Sequence, residues 1–186
     1  MTGVVLAAGG SRRMGQPKLL LNYQGRPLLA WTLGLVERLP LPRRLLVVGA
    51  QQQRVRAALS LDGWELVVND DWQEGMASSL RAAAEAAGGG LLVFLGDMPC
   101  VSEAAARAVL EQAGPHPVAP AFAGRRGFPV YLPPQLRPQL LALRGDVGAR
   151  GLLQGCRVLP WPDPGVVWDV DTKEDLACGR PDRWTS

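Results

Sequence analysis

Histidine occurs once in the 186 residues, as His116, and cysteine three times, as Cys100, Cys156 and Cys178. An odd cysteine count with no C-x-x-C spacing supports neither a disulfide framework nor a thiolate zinc site. His116 sits between Gly114-Pro115 and Pro117, a turn context, which disfavours histidine-based triads and histidine-rich metal centres. Chemistry in this chain therefore falls to carboxylates and cations. An excess of one charge is missing too: 20 Lys and Arg against 17 Asp and Glu leave +3, and the arginines are dispersed. Nucleic acid is not implied. No apolar run reaches the length of a membrane span, and the first residues enter strand-like sequence without a charged leader and cleavage site. The expectation is a cytoplasmic protein with no membrane partner.

What is present is ordinary globular composition, 47% hydrophobic and 20% charged, with length enough for one domain over residues 1–186. Val4 to Ala7, Leu45 to Val48, Leu66 to Val68 and Leu91 to Leu95 read as buried strands. Pro27 to Arg38, Gln52 to Leu59, Ser78 to Ala87 and Ser102 to Ala113 carry helical patterning between them. Alternation of this kind predicts a three-layer α/β/α Rossmann-like domain with a mostly parallel sheet, its ligand at the carboxyl ends of the strands. After Gly114 the spacing is irregular and proline-rich. Strand candidates at Val118 to Pro120, Pro129 to Leu132 and Arg157 to Leu159 predict a mixed sheet edge rather than a second domain. The small-residue stretch Ala82 to Gly90 predicts a helix ending in a glycine C-cap.

"LAAGGSRRMGQPK", Leu6 to Lys18, leads from a strand into glycines and then three cations. Exposed backbone N–H groups with fixed cations suit phosphate oxygens. The spacing of Gly10 and Gly15 matches half of a P-loop, but Gln16-Pro17-Lys18-Leu19 follows where Lys-Ser/Thr belongs, and G-x-G-x-x-G is absent. A plain glycine turn with solvated arginines remains open on this stretch alone. "FLGDMP", Phe94 to Pro99, sets Asp97 directly after an apolar strand, at the same sheet edge as the glycine loop. "WDVDTKEDL", Trp168 to Leu176, points Asp169 and Asp171 the same way, with Thr172 as N-cap and Asp175 in the first turn. Carboxylates from separate strand ends suit a magnesium ion that also binds nucleotide phosphates. Turn and helix capping are the alternative roles for Asp97 and Asp169.

Together these segments resemble the molybdenum cofactor nucleotidyltransferase group, within the NTP transferase superfamily, and most closely its cytidylyltransferase branch. Ala7 to Lys18 is similar to the opening signature, Gly96-Asp97-Met98-Pro99 to G-D-M-P, Asn69 through Gly75-Met76-Ala77-Ser78-Ser79-Leu80 to N-x-x-x-x-x-G-M-x-x-S-L, and Asp169-Val170-Asp171-Thr172 to the D-I-D-T ending. The resemblance implies transfer of a cytidylyl group from CTP to the terminal phosphate of molybdopterin, with Mg2+ and release of pyrophosphate. A recipient molybdoenzyme or its chaperone would be the partner of the product. Leu6, Ala7, Ala8, Gly9, Gly10, Arg13, Lys18, Gly75 and Ser79 would bind the nucleotide. Arg13, Lys18 and Asp97 would carry catalysis, and Asp97 with Asp171 would hold the metal. The guanylyl branch more often has Ala-Gly where this chain has Ala7-Ala8. Two departures stand out: Lys173 replaces a proline after Thr172, and Phe128 replaces the histidine of G-H-P on the acceptor side, where its ring would stack on a pterin or belong to the core. GTP, or another phosphorylated acceptor as in nucleotide-sugar or nucleotide-alcohol synthesis, is the alternative substrate. A non-catalytic module handing molybdopterin to an apoenzyme is the alternative class.

Overall fold

Alternating apolar residues commit the first strand to two cores at once. In the computed structural model, which describes residues 1–9, 17–144 and 151–178, β1 (Thr2–Ala7) is buried along its length. Val5 and Ala7 enter one hydrophobic cluster, Val4 and Leu6 the other, the period-two pattern of a strand covered on both faces. β2 (Asn22–Tyr23) and β3 (Arg26–Pro27) form a separate small hairpin. Parallel to β1 lie β4 (Arg43–Val48) on one side and β6 (Leu91–Leu95) on the other, with β5 (Glu65–Val68) outside β4. These are the four strands read from the apolar runs.

Beyond β6 the sheet is mixed, as the irregular spacing predicts. β9 (Val130–Leu132) runs antiparallel between β6 and β7 (Val118–Phe122), β8 (Arg125–Arg126) folds back on β7, and β10 (Arg157–Pro160) forms the edge parallel to β7. The order is β10-β7-β9-β6-β1-β4-β5. Both hairpins turn on two residues of positive φ, Gln24 (49°) with Gly25 (88°) and Ala123 (47°) with Gly124 (77°). Consecutive left-handed residues give the turn whose twist matches that of the strands it joins.

One face carries α1 (Leu28–Glu37), α2 (Gln52–Ala58) and α4 (Glu103–Glu111); the other carries α3 (Met76–Ala86) and α5 (Arg137–Leu141). Leu28, Leu29 and Val36 of α1 have 0% exposure, each contributing about 1.5 to 3 kcal/mol by leaving water. Ser102 caps α4 by accepting from Ala105 N–H. α3 begins at Met76 rather than Ser78, with Gly75 in the N-cap position. Its predicted glycine C-cap does not form: Ala87, at φ −90° and ψ 140°, ends the helix in extended backbone. α6 (Lys173–Cys178) follows the carboxylate segment. Its start is a capping box, in which Thr172 Oγ1 accepts from Asp175 N–H at 3.2 Å and Asp175 Oδ2 accepts from Thr172 N–H at 2.9 Å.

Candidate active site

The chain leaves β1 for β4 on one side and returns to β6 on the other, and at such a switch point a crevice opens at the carboxyl ends of the strands. Glycines let the strand ends crowd together there. Gly96 N–H donates to the Leu6 carbonyl at 3.0 Å. A Cβ on Gly49 would stand 2.8 Å from both the Ala8 carbonyl oxygen and Trp72 Cβ. Gly75, at φ 98°, turns the chain into α3. The resulting cleft, about 310 Å³, is walled by Leu6, Ala7, Ala8 and Gly9 from β1 and its loop, and by Lys18, Trp72, Gly75, Met76, Ser79 and Asp97.

At its mouth stands a charge cluster. Lys18 Nζ donates to Asp97 Oδ2 at 2.7 Å and to Asp171 Oδ1 at 3.1 Å. The segment bearing Asp169 and Asp171 is fixed to β6 by the main chain, since Val170 N–H donates to the Asp97 carbonyl at 3.0 Å. Alternation about Val170, which is fully buried, then brings carboxylate oxygens of Asp97, Asp169 and Asp171 within 4.8 Å of one another. Three carboxylates against one ammonium leave negative charge in excess. An all-oxygen set of this kind fits a hard divalent cation.

Titration directions agree with that excess. Burial lowers the Lys18 value, but the charges and hydrogen bonds of Asp97 and Asp171 outweigh it and hold the ammonium above its ordinary value. Desolvation, and then the like charges of Asp171 and Asp97, raise the Asp169 carboxyl, against the lowering by its own backbone N–H and by Lys18. A carboxyl raised in the folded state binds its proton more tightly there than when unfolded. It favours folding at acid pH and loses that contribution as pH rises through its folded value. Ionised Asp169 therefore detracts from stability at neutral pH. Asp169→Asn should raise the melting temperature at pH 7 without divalent metal while weakening Mn2+ binding by calorimetry; a lower melting temperature would assign the carboxylate a stabilising role.

Of the residues singled out in the sequence, Leu6, Ala7, Ala8, Gly9, Lys18, Gly75, Ser79 and Asp97 line one cleft, and Asp171 joins them through Lys18. Gly10 and Arg13 lie outside the described residues. Phe128 stands apart. It is half-buried against both hydrophobic clusters and lines a smaller apolar pocket, about 50 Å³, with Leu80, Val93, Val130 and Met76, which also borders the cleft. Asp169, singled out in sequence by its two-residue spacing from Asp171, joins the carboxylate cluster, whereas Trp72 enters the cleft with no signal in the sequence.

A cleft at the switch point of a mostly parallel sheet, lined by the end of β1 with Ala8 and Gly9 and by the strand-end carboxylate Asp97, has the architecture of a Rossmann-like α/β nucleotidyltransferase. The chain belongs to the MobA-like NTP transferase domain family, which residues 3–160 match. It is 34% identical over 195 residues to nicotine blue oxidoreductase of Paenarthrobacter nicotinovorans, covering 95% of this chain and 94% of that one. Purine catabolism protein PucB of Bacillus subtilis (strain 168) is 31% identical, with 94% and 93% covered. Rv0371c of Mycobacterium tuberculosis H37Rv superposes with a TM-score of 0.85 at 33% identity over 95% of each chain. Its complex with manganese gives 0.79 at 32% identity, with 95% and 96% covered. Among the described residues, no helix is long and apolar enough to cross a membrane.

Proposed function

We propose that the chain transfers a cytidylyl group from CTP to the terminal phosphate of molybdopterin in a Mg2+-dependent reaction. The observation that carries this reading is the Lys18 ammonium held between Asp97 and Asp171 at the mouth of the cleft. A phosphate oxygen of the acceptor attacks the α-phosphorus of CTP, the bond from that phosphorus to the bridging oxygen breaks, and pyrophosphate departs with the electron pair. A phosphate monoester is already largely ionised at neutral pH, so no general base is needed. Catalysis is positioning plus neutralisation of the leaving charge. In this reading backbone N–H groups of Ala8 to Gly10 would approach the nucleotide, Lys18 and Arg13 would meet the β- and γ-phosphates, and Asp97, Asp169 and Asp171 would hold a divalent metal, which would supply positive charge to offset that of the phosphates. The Ala7-Ala8 pair and Gly96-Asp97-Met98-Pro99 favour cytidine through the resemblance of these motifs to the cytidylyl branch.

A second reading keeps the nucleotide chemistry and changes the acceptor. Phe128 favours it, because the ring packs among Met76, Leu80 and Val93 where the resemblance leads one to expect a hydrogen-bonding imidazole. The names of the two relatives, one linked to nicotine blue and one to purine catabolism, also differ from cofactor synthesis. Pyrophosphate release, measured with each of the four NTPs with and without molybdopterin, decides between them. CTP with molybdopterin should give the largest rate; release by GTP, or only with another acceptor, would overturn the cytidylyl reading. Phe128→Ala should then raise the KM for molybdopterin severalfold and leave CTP parameters nearly unchanged. Its cost in stability should fall below the roughly 3 to 5 kcal/mol of a fully buried ring. An unchanged KM with a large drop in melting temperature would make the ring purely core.

A further inference from the structure

The Gly75 carbonyl, which can only accept, fixes a chain of protons inside the cleft wall. Ser78 Oγ donates to it at 2.9 Å. Having spent its one proton, the Ser78 oxygen must accept, and Asn69 Nδ2 donates to it at 2.8 Å. The other hydrogen of the same amide goes to Ser79 Oγ at 3.0 Å. The reversed amide is disfavoured, because Ser78 would have to turn its one proton to the amide oxygen and give up the Gly75 carbonyl. The Ser79 side chain has no other hydrogen-bond partner among the described residues, so its own proton finds no acceptor among them. Yet the residue is only 6% exposed and lines the cleft, and a buried donor in such a place is satisfied by what enters it.

We propose that Asn69 is a positioning residue that keeps the Ser79 hydroxyl proton turned into the cleft, where it reads an acceptor atom on the ring edge of the bound base. The inference rests on the nucleotide reading above. Asn69 is well placed to hold an orientation: it is 4% exposed, directly follows β5, and its backbone N–H donates to the Val48 carbonyl at 2.7 Å. On cytosine the acceptors available to such a donor are O2 and N3. A base offering only an N–H at that point would face the Ser79 proton with a second donor.

Binding of CTP, 2-thio-CTP and 3-deaza-CTP with Mn2+, measured by calorimetry on the parent, Ser79→Ala and Asn69→Asp, tests the relay; pyrophosphate with Mn2+ reports on the phosphate end. Each analogue weakens or deletes one acceptor. Asp at position 69 keeps the volume but only accepts, so both serines donate to it and the Ser79 proton leaves the cleft. The parent should bind CTP about threefold to tenfold more tightly than one of the analogues, the range of one neutral hydrogen bond. Both variants should bind CTP and that analogue alike, with pyrophosphate affinity within about twofold of the parent. Indifference of the parent to both analogues, or discrimination kept by Ser79→Ala, overturns the inference. Loss of pyrophosphate binding in Asn69→Asp would make Asn69 a scaffold of α3 and overturn it too; Ser79→Ala carries the test if Asn69→Asp melts early. A parent that binds pyrophosphate but not CTP defeats the cytidylyl reading alone, and GTP against 6-thio-GTP then tests the relay independently.

Discussion

Asp97→Asn should abolish turnover and leave the fold intact. The substitution removes one negative charge from a carboxylate cluster whose oxygens lie within 4.8 Å of one another, at almost constant side-chain volume. What joins β6 to the Asp169–Asp171 segment is the Asp97 main-chain carbonyl accepting from Val170 N–H, and that bond survives the change. Lys18 loses its shorter ion pair, at 2.7 Å, but keeps Asp171 at 3.1 Å. Metal-borne stabilisation of charge on a phosphoryl oxygen is worth several kcal/mol, and a loss of about 4 kcal/mol is roughly a thousandfold in rate. Pyrophosphate release at saturating Mg2+ should fall by that order while the melting temperature moves little. Near-parent activity at limiting Mg2+ would remove Asp97 from the metal site. A collapse of the melting temperature would mean that the cluster acts as structure.

Strand ends made much of this site readable before any fold was known. An apolar run that stops at glycine, and another that stops at Gly96-Asp97, must bring their next residues to one edge of a parallel sheet, so the meeting of Lys18 with Asp97 follows from β1 lying beside β6. Asp171 follows from its own strand-like spacing. The readable part ends where contacts depend on turns rather than periodicity. β2, β3 and β8 are two residues long, too short for a period, and their positive-φ turns use Gln24 and Ala123 where Asn or Asp would have been the signal. Asn69 reaches Ser78 and Ser79 only because residues 70–75 fold back through Gly75; the spacing of nine and ten residues reveals nothing by itself. Trp72 enters the cleft for the same reason. Phe128 illustrates the opposite case, since its departure from G-H-P is plain in sequence but its placement in an apolar pocket depends on α3 and β9 packing over it.

Lys18→Ala should separate catalysis from metal binding by moving them in opposite directions. The ammonium is a fixed charge at neutral pH, since Asp97 and Asp171 more than offset the effect of its burial, and it competes for the carboxylates that a divalent cation would use. Removing it leaves three carboxylates without their counter-ion, so Mn2+ titrated in the absence of nucleotide should bind at least severalfold more tightly. Turnover should nevertheless fall, because in the proposed reaction the β- and γ-phosphates would lose a charge-assisted partner worth about 1.5 to 3 kcal/mol, roughly tenfold to a hundredfold in rate. CMP carries neither phosphate and should bind the variant nearly as it binds the parent. These three measurements leave little room for a generic defect. A lysine that merely props the loop would lower Mn2+ affinity, CMP affinity and turnover together, and that result would overturn the assignment. Weaker CTP and CMP binding in equal measure would place the ammonium at the α-phosphate or the base instead. Lys18→Arg should recover part of the rate, since the charge returns, but not all of it, because a planar guanidinium cannot sit between Asp97 Oδ2 and Asp171 Oδ1 as the compact ammonium does.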